Sequence, residues 1–136
     1  MLSSEKIELL RSFSFGATGL ICMLYALLVV FTGQPDPMPW WLPGSVGLLS
    51  AVLIFSKFHR ADPVSVQQAT DELFKRNAAI VHRFGFWSAL LLYPLFGFLI
   101  ATGVISLTLA FPIMGTLTAA AYLLSFAILS EWPSAR

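Results

Sequence analysis

Charge is scarce in this chain. Only 11% of its 136 residues are Asp, Glu, Lys or Arg, less than half of the roughly 25% found in water-soluble domains. Residues 84 to 130 contain no charged side chain, and residues 12 to 56 contain one, Asp36. An ion-coupled carrier or proton relay needs a titrating group at mid-depth in the membrane, and these tracts offer none. Cysteine is nearly missing as well. The single Cys22 lies inside an apolar run, which excludes an internal disulfide and a CxxC redox pair. The basic residues are dispersed rather than gathered into a stripe, so nucleic acid is not an expected partner. Serines in the apolar runs have no acid and histidine at matching depth, so no nucleophilic site is expected and no cofactor is called for.

What the chain has in abundance is apolar length. Hydrophobic residues make up 57% of it, with a mean hydropathy of +0.80. About 20 apolar residues cross a bilayer as a helix, so each charge-poor tract has room for two crossings and a turn. The reading is an all-α, integral membrane four-helix bundle made of two transmembrane hairpins. It forms one domain over residues 1–136, with spans at about 12–32, 42–57, 84–106 and 111–130. The opening MLSSEKIELLRSFSF has no small-residue cleavage site before a polar region, so the first run is read as a retained span. Between the first two spans lies QPDPMPWWLPG. Pro35, Pro37 and Pro39 forbid a helix there, and such backbone belongs in water or headgroups. Trp40 and Trp41 suit the interface, and Pro43 suits the first turn of the next helix. Asp36 is the one acid at this mouth, and beside the Trp pair it could hold a cation.

Residues 61–83 form the only sizeable polar segment. Asp62 before Pro63 reads as a helix start. Val66, Leu73, Ile80, Phe84 and Trp87 then recur in one stripe, with Thr70 and Asn77 filling it. Asp71 with Lys75 and Glu72 with Arg76 are acid-first i,i+4 pairs. The expectation is one amphipathic helix over about 63–83 that leads directly into the third span. Pro94 inside that span predicts a kink, and LTLAFP is read as a tight turn. All eight basic residues (Lys6, Arg11, Lys57, Arg60, Lys75, Arg76, Arg83, Arg136) fall on one side of this threading. Basic loops stay on the cytoplasmic side. Both termini and the polar helix are therefore expected in the cytoplasm, in a bacterial inner (plasma) membrane, with Lys57, Arg60, Lys75, Arg76 and Arg83 anchoring the interface.

Candidate chemistry is thin. His59 and His82 fall near the same face and are the only candidate metal or haem ligands. Their basic flanks, KFHR and VHR, repel a cation and suit anionic headgroups. Asp71, Glu72, Lys75, Arg76, Asn77, His82 and Arg83 could together receive an anion, but they also read as a solvated helix face. Packing signals are more numerous: Ser12 with Gly16, Gly47 with Ala51, Gly97 with Ala101, and Gly115 with Ala119 place small residues four apart, which lets helices approach closely. The expected function is a small non-catalytic membrane protein, an accessory or assembly subunit whose partners are the lipid bilayer and another membrane protein or itself. An oligomeric channel or carrier for small solutes is the alternative. An interfacial enzyme acting on a lipid or amphipathic substrate is the third reading.

Overall fold

A computed structural model describes residues 4 to 131 of the chain. Ser3, Arg136 and the rest of the closing segment beyond Glu131 lie outside the described residues. Five helices follow in order: α1 (Ser4–Thr32), α2 (Leu42–Arg60), α3 (Pro63–Ala69), α4 (Glu72–Ala101) and α5 (Leu107–Glu131). All but α3 are long and apolar enough to cross a membrane, and among the described residues there is no strand. The elements end where the backbone requires it. Gly33, with φ of 65°, stops α1 by donating its N–H to the Val29 carbonyl at 3.0 Å, a conformation glycine adopts without strain. Gly103, at φ 72°, does the same after α4.

Neighbouring long helices run antiparallel. α1 docks along α5, α5 along α4, and α2 along α1, so the order across the bundle is α2, α1, α5, α4. Gly16 faces Ala127, while Asn77 reaches Leu129 and Phe96 shares a core cluster with Ala110 and Ile113. One end of the bundle therefore holds the start of α1, the end of α2, α3 and the end of α5. This is the terminal end. The opposite end, called here the elbow end, holds residues 33–41 and the turn at 102–106.

The buried stripe of α1 is Ile7, Arg11, Ser14, Thr18, Cys22, Tyr25 and Val29, at steps of three and four residues as a helix face demands. α2, by contrast, contains no buried residue.

Three expectations need correction. The polar helix over 63–83 is broken: α3 ends at Ala69, and α4 restarts at Glu72. Asp71 is the cause, because its Oδ1 accepts the Phe74 N–H at 2.9 Å. That N-cap takes the place of the Asp71–Lys75 pair. Asp62 stands at the N-cap of α3, just before Pro63, without a side-chain cap bond. Lys75 instead meets Glu72 at 3.5 Å, on the exposed surface. The inward face of α4 is also shifted by about one residue. Asn77, Val81 and Gly85 are buried, while Leu73, Ile80, Phe84 and Trp87 are exposed. Finally, the second turn is 102–106, and LTLAFP is already helical: α4 ends at Ala101 and α5 begins at Leu107, with Pro112 inside it.

Candidate functional site

At the terminal end the buried face of α1 brings a cation inside. Arg11 is 6% exposed, and its guanidinium lies 4.0 Å from the centroid of the Phe74 ring and 5.7 Å from that of Phe126. Phe126 in turn meets Phe15 edge-on at 5.1 Å and Phe74 at 5.7 Å. The planar guanidinium suits such aromatic surroundings better than a lysine ammonium would. Asn77 is tied into the same region by donating Nδ2–H to the Leu129 carbonyl at 3.2 Å. A cavity of 240 Å³ opens beside Arg11, rimmed by Glu5, Glu8, Asp71, Asn77 and Ser130. Three carboxylates around one guanidinium make poor company for an anion. The charged set read in the sequence as an anion receptor is divided: Glu72, Lys75 and Arg76 line one surface cavity, while Asp71 caps a helix, Asn77 turns to α5 and His82 meets Tyr122.

The two histidines have different settings. His59 is exposed in the last turn of α2. His82 pairs with α5, its Nδ1 lying 3.0 Å from the Tyr122 hydroxyl. Either group can donate, the phenol to an Nδ1 lone pair or an Nδ1–H to the phenol oxygen, and in both cases the contact fixes the ring against α5. Gly85, one turn on from His82, makes room for this contact, since a Cβ there would lie 2.8 Å from Tyr122 Cδ2. Tyr122 stands nine residues (131 − 122) before the end of α5, about 13 Å by helical rise. His82 and its neighbour Arg83 thus lie alongside the spans rather than beyond them. Among the described residues no three His, Cys, Asp or Glu side chains gather around a metal-sized point.

At the elbow end the chain folds back on itself. Tyr25 is 3% exposed, and its hydroxyl donates to the Pro35 carbonyl at 3.0 Å. Tyr25 sits seven residues (32 − 25) before the end of α1, so the elbow reaches about 10 Å back along that helix. Met38 packs against the core cluster that contains Tyr25 and Val29. Between the elbow and α5 this leaves a cavity of 330 Å³ lined by Tyr25, Pro35, Asp36, Trp40, Pro43, Thr108, Pro112, Gly115 and Thr116. Trp40 and Trp41 are both largely exposed. Asp36 is the only ionised side chain among the described residues at this end.

The small-residue pairs divide. Gly16 has Ala127 at 3.5 Å from where a Cβ would stand, and Gly47 has Thr18 Cγ2 at 3.6 Å. Gly97 and Gly115 face open space, with nothing within 4 Å, so the chain's own helices do not close on them. Ala51 and Ala101 are exposed, and Ala119 is half-buried. Lys57, Arg60, Lys75, Arg76 and Arg83 are all exposed in the terminal half. The sequence reading missed two close approaches. At Gly19 a Cβ would lie 2.9 Å from Leu124 Cγ, and Gly85 is the other. It also missed the burial of Arg11, whose signal was its place on the stripe from Ile7 to Val29.

The class defined by these features is an all-helical membrane bundle with cavities at both ends, among them the two described. The chain matches no known protein family, no curated protein and no solved structure.

Proposed function

We propose that this chain works by association, as a small non-catalytic membrane protein that is an accessory or assembly subunit, or that pairs with itself. The open small-residue face of α4 at Gly97 and Ala101 carries the reading. Where lipid supplies no hydrophobic force between helices, such small-residue faces are where backbones come close. α2 adds a helix with room for a neighbour: it is 19 residues long and none of its residues is buried. The membrane proposed is a bacterial inner membrane, with the terminal end in the cytoplasm. Supporting this is the charge pattern, since every described Lys and Arg lies in the terminal half.

Two measurements test these proposals. Cysteine replacement at Val52 and at Gly97, in a Cys22→Ser background, is followed by cross-linking in native membranes. Adducts at one or both positions are expected, and a strictly monomeric product at every site would refute association. For orientation, single cysteines at Gln34 and Gln68 are treated with a membrane-impermeant maleimide on intact cells. Labelling at Gln34 only is expected, and the reverse pattern overturns the threading.

A further inference from the structure

We infer that the elbow cavity is a binding site for a substituted ammonium group attached to an apolar body. Four observations converge on it. The cavity of 330 Å³ is walled chiefly by prolines, Gly115 and aromatic rings, an apolar lining with few polar groups, as small-ligand sites have. Asp36 lines it with an exposed carboxylate beside the Tyr25 hydroxyl, and the elbow end has no basic residue among the described ones. That carboxylate is open to a ligand cation, which gains more at the edge of an apolar recess than in bulk water. Trp40, largely exposed, lines the same space, and the face of an indole attracts ammonium groups through its quadrupole. Finally, the Tyr25 hydroxyl is already engaged by the Pro35 carbonyl at 3.0 Å. The elbow is thereby clasped to α1, so the walls are built before any ligand arrives.

The ammonium can come from two sources with the same chemistry, a phosphatidylethanolamine headgroup or a free amphipathic amine. Anionic ligands are disfavoured because Asp36 would repel them. The site does not depend on whether the chain associates with partners.

The test uses the full chain in lipid nanodiscs. In one arm, nanodiscs holding equal phosphatidylethanolamine and phosphatidylglycerol are analysed by native mass spectrometry for retained lipid. In the other arm, benzyltrimethylammonium is titrated into nanodiscs of phosphatidylglycerol alone and followed by tryptophan fluorescence. The variants are Asp36→Asn, which removes the charge, and Gly115→Leu, which fills the cavity from a position where a Cβ meets nothing within 4 Å. Gln68→Ala, exposed on α3 at the terminal end, is the control. Thermal unfolding of each variant confirms that it folds.

Preferential retention of phosphatidylethanolamine, reduced at least about fivefold by both variants, supports the site and assigns a lipid source. Saturable benzyltrimethylammonium binding lost in both variants, without lipid preference, supports the site and assigns a free amine. If neither probe binds in an Asp36-dependent manner, or if Gly115→Leu leaves binding intact, the inference is wrong.

Discussion

α1 and α2 form one hairpin and have similar apolar composition, yet they play opposite parts. α1 is the axis of the bundle: it touches α5 on one side and α2 on another, and it holds most of the buried side chains. α2 leans on α1 through a limited strip, where Thr18 and Ser50 share a hydrogen bond of 3.1 Å and Gly47 faces the Thr18 methyl. The helix at the centre nevertheless buries polar side chains, Arg11, Ser12, Ser14 and Thr18 among them. In hydrocarbon, bulky apolar side chains gain nothing by leaving the lipid, so small and hydrogen-bonding residues turn inward.

The contrast can be broken or sharpened by paired substitutions. The largest effect is expected from Gly19→Val, since Leu124 Cγ and Leu123 Cβ lie 2.9 and 3.1 Å from the new Cβ. Overpacking of this kind costs about 1–3 kcal/mol, measured by reversible unfolding in mixed micelles. Gly44→Val in α2 meets nothing within 4 Å and should leave the midpoint almost unchanged. Equal losses at both sites would abolish the distinction.

Next comes Arg11→Ala, which removes a buried side chain stacked at 4.0 Å on Phe74 and is expected to cost about 2 kcal/mol. Arg11→Lys should recover only part of this loss, because an ammonium cannot stack as a planar guanidinium does. The exposed Arg60→Ala should leave the unfolding midpoint where it is.

The smallest shift is expected from Thr18→Ala, which removes the tie to Ser50 at about 0.6 kcal/mol. Its clearer readout is the distance distribution between spin labels on α1 and α2. That distribution should broaden while the α1–α5 distance holds. A change confined to the α1–α5 pair would show that α2 is not the loosely held helix.

Much of this architecture could be read from side-chain chemistry alone. The gaps in charge marked four spans, and Pro35, Pro37 and Pro39 marked the elbow, because a missing N–H and an ionised group are penalised in hydrocarbon wherever they fall. What escaped depended on choices between equivalent options. Asp71 suited both an ion pair and a helix cap, and the cap prevailed since it satisfies an otherwise orphaned N–H. On α4, the bulky stripe through Leu73, Ile80 and Trp87 looked like the packing face. Gly85 nevertheless carries the close approach to Tyr122, because absence of a side chain is what admits a neighbouring helix. LTLAFP, with its proline, resembled a turn, but α5 had already begun at Leu107 and Pro112 lies inside it. At the elbow, Asp36 and Trp40 were legible as candidates. The enclosure that Tyr25 builds by binding Pro35 was not, since the fold-back of the loop has no mark in composition.

The placement of α5 between α1 and α4 has a consequence for how the molecule is made. Gly19 waits for Leu124, a partner 105 positions later (124 − 19). During synthesis α1 enters the bilayer with α2 alone beside it, and Arg11 and the other buried polar groups of its far flank have no α5 to meet. Until α5 has entered beside it, those groups must be sheltered by the insertion machinery or by water at its margin. Packing of α1 is therefore gated by α5, and degradation by membrane proteases should fall most heavily on nascent forms that lack it.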